Sequence, residues 1–437
     1  MKNVLIISPR FPPVNAADHQ RVRMALPYFR EHGWEPTVLC VDAQFVEASQ
    51  DAYLLNTIPD DISVESVPAI SQALTRKIGF GALSYRAKQT LNRRGQQLLD
   101  TKDFDLVYFS TTEFGVLPLA AKWKKKFQVP YIIDIQDPWV NDYYRNQGKH
   151  PPGGVLKHRI TQAIASMQEP VTLRDAAAIT TVSPQYETDL VAKYPFLDGT
   201  PFHVIPFGGP EYDFEILQNL DLDVLNDKSA ATRDWVYIGR AGCDMQFSLR
   251  SFFCSVKNAL DDGLFPRDSI KIRLFGTDYA AAGAGRKWSQ KAAEEFGLTS
   301  LVDERPDRIP YFETLQRLSH ADAIFVPGSD DPGYTASKIY PYILASRPLL
   351  TIFHKNSSVN EVVNHTKSGT AITFDENSTV ESVAEEAYRR WFLDKAYMRV
   401  PQTDWKQFAP YTARKMTGRL TQIFDQALVE HTYRVAS

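Results

Sequence analysis

The side chains best suited to hold a phosphate follow the apolar run Ala323-Ile324-Phe325-Val326-Pro327. The loop Gly328-Ser329-Asp330-Asp331-Pro332-Gly333-Tyr334-Thr335-Ala336-Ser337-Lys338 comes next, and an apolar helical segment follows. Thr335, Ser337 and Lys338 sit where that loop opens the helix, so free backbone N–H groups, two hydroxyls and an ammonium can converge on one anion. The same residues also suit a plain helix cap beside a solvated lysine. A second candidate lies in Asp134-Ile135-Gln136-Asp137-Pro138-Trp139, after another apolar run. A carboxylate at the carboxyl end of a parallel strand faces the crevice where open α/β sheets take ligands, which singles out Asp137. Capping of the turn before Pro138 accounts for the same aspartate.

The elements that position these groups read as strand, loop, helix, strand. Residues 323–327, the helix after Lys338, Arg347-Pro348 and the run Leu349-Leu350-Thr351-Ile352-Phe353 make one parallel βαβ unit. The amino-terminal half has the same grammar, with strands predicted at 4–8, 36–42, 62–67, 105–110, 129–135, 177–183 and 202–206. Between them come helices at 19–32, 115–127, 160–174 and 184–193, the first closed by Gly33. The loop from Pro9 to Asp18 then belongs to the ligand-bearing edge of the sheet. Phe207-Gly208-Gly209-Pro210 and an acidic stretch break the pattern. Strands resume at 236–238, 270–275 and 369–374, with helices at 249–260, 288–296, 381–393 and 411–429.

A chain of 437 residues exceeds what one core usually serves and predicts two domains of roughly 200 residues each. Hydrophobic residues at 43% and charged residues at 23% exclude disordered and fibrous classes. A net charge of −3 argues against nucleic acid as a partner. Cys40, Cys243 and Cys254 are few, odd in number and far apart, which suits free thiols in a reducing compartment. The apolar run after Met1 is too short for a signal peptide, and no window approaches a bilayer span. A cytoplasmic location is expected.

Two basic stretches leave peripheral attachment to the inner face of a membrane open. Residues 67–99 interleave Arg76, Lys77, Arg86, Lys88, Arg93 and Arg94 with apolar residues, and 122–127 hold Trp123-Lys124-Lys125-Lys126-Phe127. Either is equally a solvated helix face. No Walker loop and no His-x-x-x-His or Cys-x-x-Cys pair occurs, so no metal or cofactor is expected.

These residues resemble the GT-B glycosyltransferases, and within them the large retaining family 4 of glycogen-synthase-like and polysaccharide-assembly enzymes. Pro12-Pro13 with Arg21-Val22-Arg23 is similar to that family's first loop and helix, and Asp134 to Trp139 to its Asp-x-x-Asp-Pro-Trp strand end. Tyr237-Ile238-Gly239-Arg240 resembles the strand and arginine that meet the donor diphosphate. Residues 309–374 resemble the donor-site unit, including Ser337-Lys338, Tyr342 and Arg347-Pro348. The resemblance implies an α/β fold of two Rossmann-like doubly wound domains facing across a cleft, with a carboxyl-terminal helix crossing back to the first. The implied division is 1–207 for acceptor, 208–232 as linker, 233–400 for donor and 401–437 as the returning helix.

It further implies metal-independent transfer of a sugar from a nucleotide-diphosphate sugar to a glycan or lipid-linked acceptor in surface polysaccharide or glycoconjugate assembly. Asp137, Arg240 and Lys338 would be catalytic. The donor would meet Arg240, Thr335, Ser337, Lys338, Asp331 and Tyr342, and the acceptor Asn15, Arg21, Thr111, Thr112, Asp137 and Trp139. Where relatives carry two glutamates eight positions apart this chain has Gly333 and Pro341, and the lysine usual after Gly-Arg is absent. Two other functions fit the fold: a catalytically silent or sugar-binding subunit, and a nucleotide-sugar epimerase.

Overall fold

The computed structural model describes residues 1–75, 81–140, 154–222, 232–278, 283–331 and 339–436. Two compact units emerge, one from Met1–Gly208 with Ala413–Ser437 and one from Gly209–Thr412.

The first unit is built on seven parallel strands, β1 (Lys2–Ile7), β2 (Trp34–Val41), β3 (Ser63–Val67), β4 (Leu106–Ser110), β5 (Tyr131–Ile135), β6 (Ala178–Thr181) and β7 (Phe202–Val204). Their order is β3-β2-β1-β4-β5-β6-β7, with Ile6 level with Val38 on one side and Tyr108 on the other. β1, β4 and β5 are almost wholly apolar because helices cover both faces of a parallel sheet. One face is sealed by the carboxyl-terminal helix Ala413–Ala436, whose Phe424 meets Trp34, Tyr108 and Phe29 at ring-centroid separations of 5.3, 5.1 and 6.2 Å. Asp425, one residue on, accepts from the Trp34 indole at 2.9 Å and so fixes the helix in rotation.

The second unit has six parallel strands: β8 (Arg233–Ile238), β9 (Ile270–Phe275), β10 (Val302–Arg305), β11 (Ala323–Pro327), β12 (Leu349–His354) and β13 (Thr370–Phe374). Their order is β10-β9-β8-β11-β12-β13. Each sheet therefore reverses its strand order once, between β1 and β4 in the first and between β8 and β11 in the second. Such reversals open a crevice at the carboxyl ends of the strands.

The departures from the sequence reading have local causes. The first helix is regular only over Gln20–Ala25 and continues as tight turns to His32, because Pro27 supplies no N–H for the ladder. Gly33 does stop it, at φ 78°. Edge strand β10 carries Asp303, Glu304 and Arg305 in four residues and so lacks the apolar signature of a strand. The helix expected at 381–393 ends at Ala387 and passes into a π-helical turn over Tyr388–Leu393. Within the expected linker, Glu211–Leu217 is helical, and Tyr311 donates its hydroxyl to Asp213 at 2.5 Å.

Candidate active site

In the first unit a buried polar network occupies the carboxyl ends of β1, β4, β5 and β6. Asp134 at the end of β5 is its centre. One carboxylate oxygen accepts from Arg21 Nε at 2.9 Å, Ser110 Oγ at 2.8 Å and Gln136 Nε2 at 2.9 Å, and the other from Thr180 Oγ1 at 2.8 Å. Arg21 and Asp134 are both inaccessible to solvent. Arg21 also donates to the Ile205 carbonyl at 2.7 Å and lies over the Phe207 ring at 4.9 Å. A pair this deep is sustained only because its remaining lone pairs and protons are largely matched.

Asp18, from the loop after β1, stands beside this network at the strand-order reversal. Its Oδ2 accepts from Thr111 Oγ1 at 3.1 Å and Thr112 Oγ1 at 3.2 Å, both just past the end of β4. Arg10 reaches Asp18 Oδ2 at 3.4 Å and also pairs with Glu113, which in turn caps the Ser84 N–H at 2.8 Å. Asp18 Oδ1 is buried and has no hydrogen-bond partner among the described residues. Asp137 is exposed. Its carboxyl nevertheless has its pKa raised above the usual carboxylate range, first because surrounding protein displaces water from it and then because the Asp18 carboxylate repels its charge. A carboxyl whose ionisation is opposed by burial and by a second carboxylate is a pattern common at working sites.

His19, next to Asp18, is fully buried with Nε2 2.7 Å from the Val14 carbonyl. Burial, and then repulsion by Arg23, bring its pKa down to about 4, against the opposing pull of the Val14 carbonyl and Asp18. A histidine kept neutral in the fold binds a proton more readily once unfolded. Its contribution is therefore complete above the unfolded value near 6.5 and drains away as pH falls toward about 4. The expected loss at pH 4.5 relative to neutral pH is about 2–3 kcal/mol. Urea denaturation of wild type and His19→Asn at the two pH values checks it: the variant should be less stable at neutral pH and have the shallower pH dependence.

In the second unit the reversal brings the ends of β8 and β11 together. Arg240, two residues past β8, forms a two-pronged pair with Asp244, with both N–O distances 2.5 Å. An added Cβ at Gly242 would lie 2.5 Å from Arg240 Nη1 and 2.8 Å from Asp244 Oδ1, so a side chain there would displace this pair. The Asp330 N–H donates to the Asp244 carbonyl at 2.8 Å and ties this turn to the loop after β11. Burial pushes the Asp244 carboxyl up, but bonds from Arg240 and Ser329 outweigh it and hold the pKa below the usual range. Asp330 is raised, by burial and then by the Asp244 charge.

The sequence-predicted residues separate into four groups. Thr112, Arg240 and Asp331 stand at the two sheet reversals, and Asp137 stands past the end of β5, the strand beside β4. Arg21, Thr111, Trp139 and Tyr342 are buried and act on their neighbours. Trp139 stacks on Phe114 at 5.6 Å, and Tyr342 donates to the Ile238 carbonyl at 2.6 Å, bracing the strand that ends near Arg240. Asn15 is half-buried, its N–H held by the Ser49 carbonyl at 2.8 Å. Thr335, Ser337 and Lys338, with Gly333, lie outside the described residues. Asp18, Arg10 and Glu113 were not singled out in the sequence. The available signal was their position, since all three lie in loops directly after β1 or β4.

The basic stretch 67–99 does not form one face. Arg86 is buried and bonds the Ile70 and Phe45 carbonyls at 2.8 and 2.9 Å, and Arg94 pairs with Glu65 at 2.8 Å. Arg76 and Lys77 lie outside the described residues. Among the described residues no helix is long and apolar enough to cross a membrane.

Two Rossmann-like sheets, each with its polar groups at the point of reversal, define the GT-B class of architecture. Residues 19–208 match the glycosyl transferase 4-like domain, and the chain as a whole has the GT-B fold. Solved structures agree over nearly the whole length. Sucrose-phosphate synthase from Thermosynechococcus elongatus is 13% identical with a TM-score of 0.54, and the match covers 98% of this chain and 100% of that one. HepE from Anabaena, in complex with UDP and glucose, is 14% identical at 0.54, covering 97% and 100%. A glycosyltransferase from Rickettsia africae is 11% identical at 0.58, covering 98% of each chain. No curated protein matches the sequence.

Proposed function

We propose that the protein transfers a glycosyl group from a nucleotide-diphosphate sugar to a hydroxyl of a glycan or lipid-linked acceptor, with retention at the anomeric carbon, in surface polysaccharide or glycoconjugate assembly. The observation that supports this reading most is Arg240 at the carboxyl end of β8, linked through Asp244 to the loop that follows β11. When the anomeric carbon–oxygen bond breaks, its electron pair goes to the diphosphate. Arg240 and Lys338, with the N–H groups and hydroxyls near Thr335 and Ser337, would take up that charge; preset donors of this kind commonly contribute about 3–4 kcal/mol each.

On the acceptor side, the hydroxyl that attacks must lose a proton. Asp137, whose carboxyl is held above its usual range, is suited to orient or accept it. The unmatched Oδ1 of Asp18 is an acceptor that a hydroxyl would complete. Gln136 Nε2 joins Asp134, at 2.9 Å, to the Asp18 carbonyl, at 3.0 Å, so the role of the Arg21–Asp134 pair in this reading is positioning. Peripheral contact with anionic lipid belongs to the same reading. Among the described residues of the two basic stretches, Lys122, Lys125, Lys126 and Arg93 are the exposed cations.

Titration calorimetry of the purified protein tests the donor half. UDP is the first probe, because HepE was solved with it, followed by other nucleotide diphosphates and their sugar conjugates. One nucleotide should bind, and Lys338→Ala should weaken it at least about tenfold, the loss of one charge-assisted contact. Binding to none of them would overturn the transfer reading and leave a sugar-binding or silent subunit.

A further inference from the structure

The helix Val155–Leu173 in the first unit carries large apolar side chains on the side that does not pack. Its inward face holds Ala165, Glu169, Thr172 and Leu173, all buried. Leu156, Ile160, Met167 and Val171 recur at intervals of four, seven and four. That spacing puts them on one stripe of a 3.6-residue helix, on the side opposite Ala165. They are 73, 54, 66 and 57% exposed. A contiguous row of large apolar side chains in water is uncommon in a protein that functions alone and marks a contact surface.

The charges around the stripe identify what it contacts. Lys157 and Arg159 flank its amino-terminal end and Arg174 follows its carboxyl-terminal end, all exposed. The helix's one acidic residue, Glu169, points inward and is neutralised by Lys193 at 2.6 Å and the Tyr194 hydroxyl at 2.8 Å. The neighbouring helix Leu119–Phe127 adds exposed Lys122, Lys125 and Lys126, and its Lys124 reaches the Asp175 carbonyl at 2.7 Å, just past the end of the first helix. A second copy of the chain is a poor occupant. Antiparallel pairing would set Lys157 and Arg159 against Arg174, and parallel pairing would set them against themselves. An anionic bilayer surface meets both requirements, taking the apolar row into its interface while its phosphates meet the flanking cations.

We propose that the exposed face of Val155–Leu173 is a docking surface for anionic lipid, with Leu156, Ile160, Met167 and Val171 entering the interfacial layer. This extends the lipid contact of the transfer reading to a helix outside both basic stretches. Its test reads lipid binding with no donor present, so its failure leaves the nucleotide result untouched.

The full chain is sedimented with vesicles of phosphatidylcholine alone or of phosphatidylcholine with phosphatidylglycerol, at low and high salt. Wild type should partition onto the anionic vesicles, less as salt rises and weakly onto the neutral ones. Leu156→Glu with Met167→Glu should weaken partitioning by about tenfold or more, since both positions are exposed and the change removes apolar contact and adds repulsion. Circular dichroism and melting verify the fold of the variant, and Ile160→Ser serves as a milder second variant. Wild type that stays in solution with anionic vesicles, or binding that neither variant weakens, would overturn the proposal. So would a wild-type dimer that the double variant converts to monomer in sedimentation equilibrium, because the stripe would then be a self-interface.

Discussion

Replacing Arg21 by methionine is expected to lower the free energy of unfolding by about 3–5 kcal/mol, the cost of leaving one member of a buried ion pair without its partner. The substitution keeps most of the volume and removes the charge, so it isolates electrostatics from packing. Asp134 would retain Ser110, Gln136 and Thr180 as donors, yet its charge would stay inaccessible to water. Losing one of those neutral donors, as in Thr180→Val, is expected to cost only about 1 kcal/mol. Urea denaturation at neutral pH, with an unchanged slope against denaturant, measures both. A loss below about 1 kcal/mol for Arg21→Met would mean that water or another cation reaches Asp134 when the guanidinium leaves. Because Gln136 links this pair to the Asp18 backbone, a variant that folds should also lose acceptor affinity more than donor affinity.

The second large effect is expected at Arg240. If the guanidinium stabilises the departing diphosphate, Arg240→Ala should reduce the rate of transfer by about 10²–10³, the usual consequence of removing one preset donor. Arg240→Lys should recover little, because a point charge cannot make the two parallel bonds by which a planar guanidinium meets a phosphate. Asp244→Asn separates the two roles of the arginine. If Arg240 only closes the turn, the asparagine variant should be as impaired as the alanine one. If it also meets the donor, freeing it from Asp244 should leave much of the rate intact. Rates with saturating donor, measured by nucleotide release, decide between these outcomes.

Much of this architecture was legible along the chain. Continuous apolar runs such as Val4 to Ile7 and Ile324 to Val326 belong to strands buried on both faces, and their alternation with helical patterns leads to parallel sheets. The sequence also pointed to the loops after β1, β5 and β11, because ligand sites in open sheets lie past the carboxyl ends of strands, and the family resemblance added Arg240 after β8. What it left ambiguous was the side of the protein each polar residue would face. Trp139 and Arg21 sit within motifs of the ligand edge, yet one is stacked on Phe114 and the other is sealed against Asp134.

By itself the sequence determined the kind of sheets, the places where they are punctuated and the chemistry present at their edges. These follow from local periodicity, from glycine and proline stereochemistry, and from residue type. Only the tertiary structure decided which of those edges meet. Asp18 and Thr111 are 93 positions apart and become hydrogen-bonded because β1 and β4 are neighbours where the strand order reverses. The same holds for the row from Leu156 to Val171. Periodicity makes such a row look like a core face, and only the packing of the opposite side, through Glu169 and Leu173, turns it outward. A pattern of spacing specifies which residues share a face; the elements that pack around it determine whether that face meets protein or solvent.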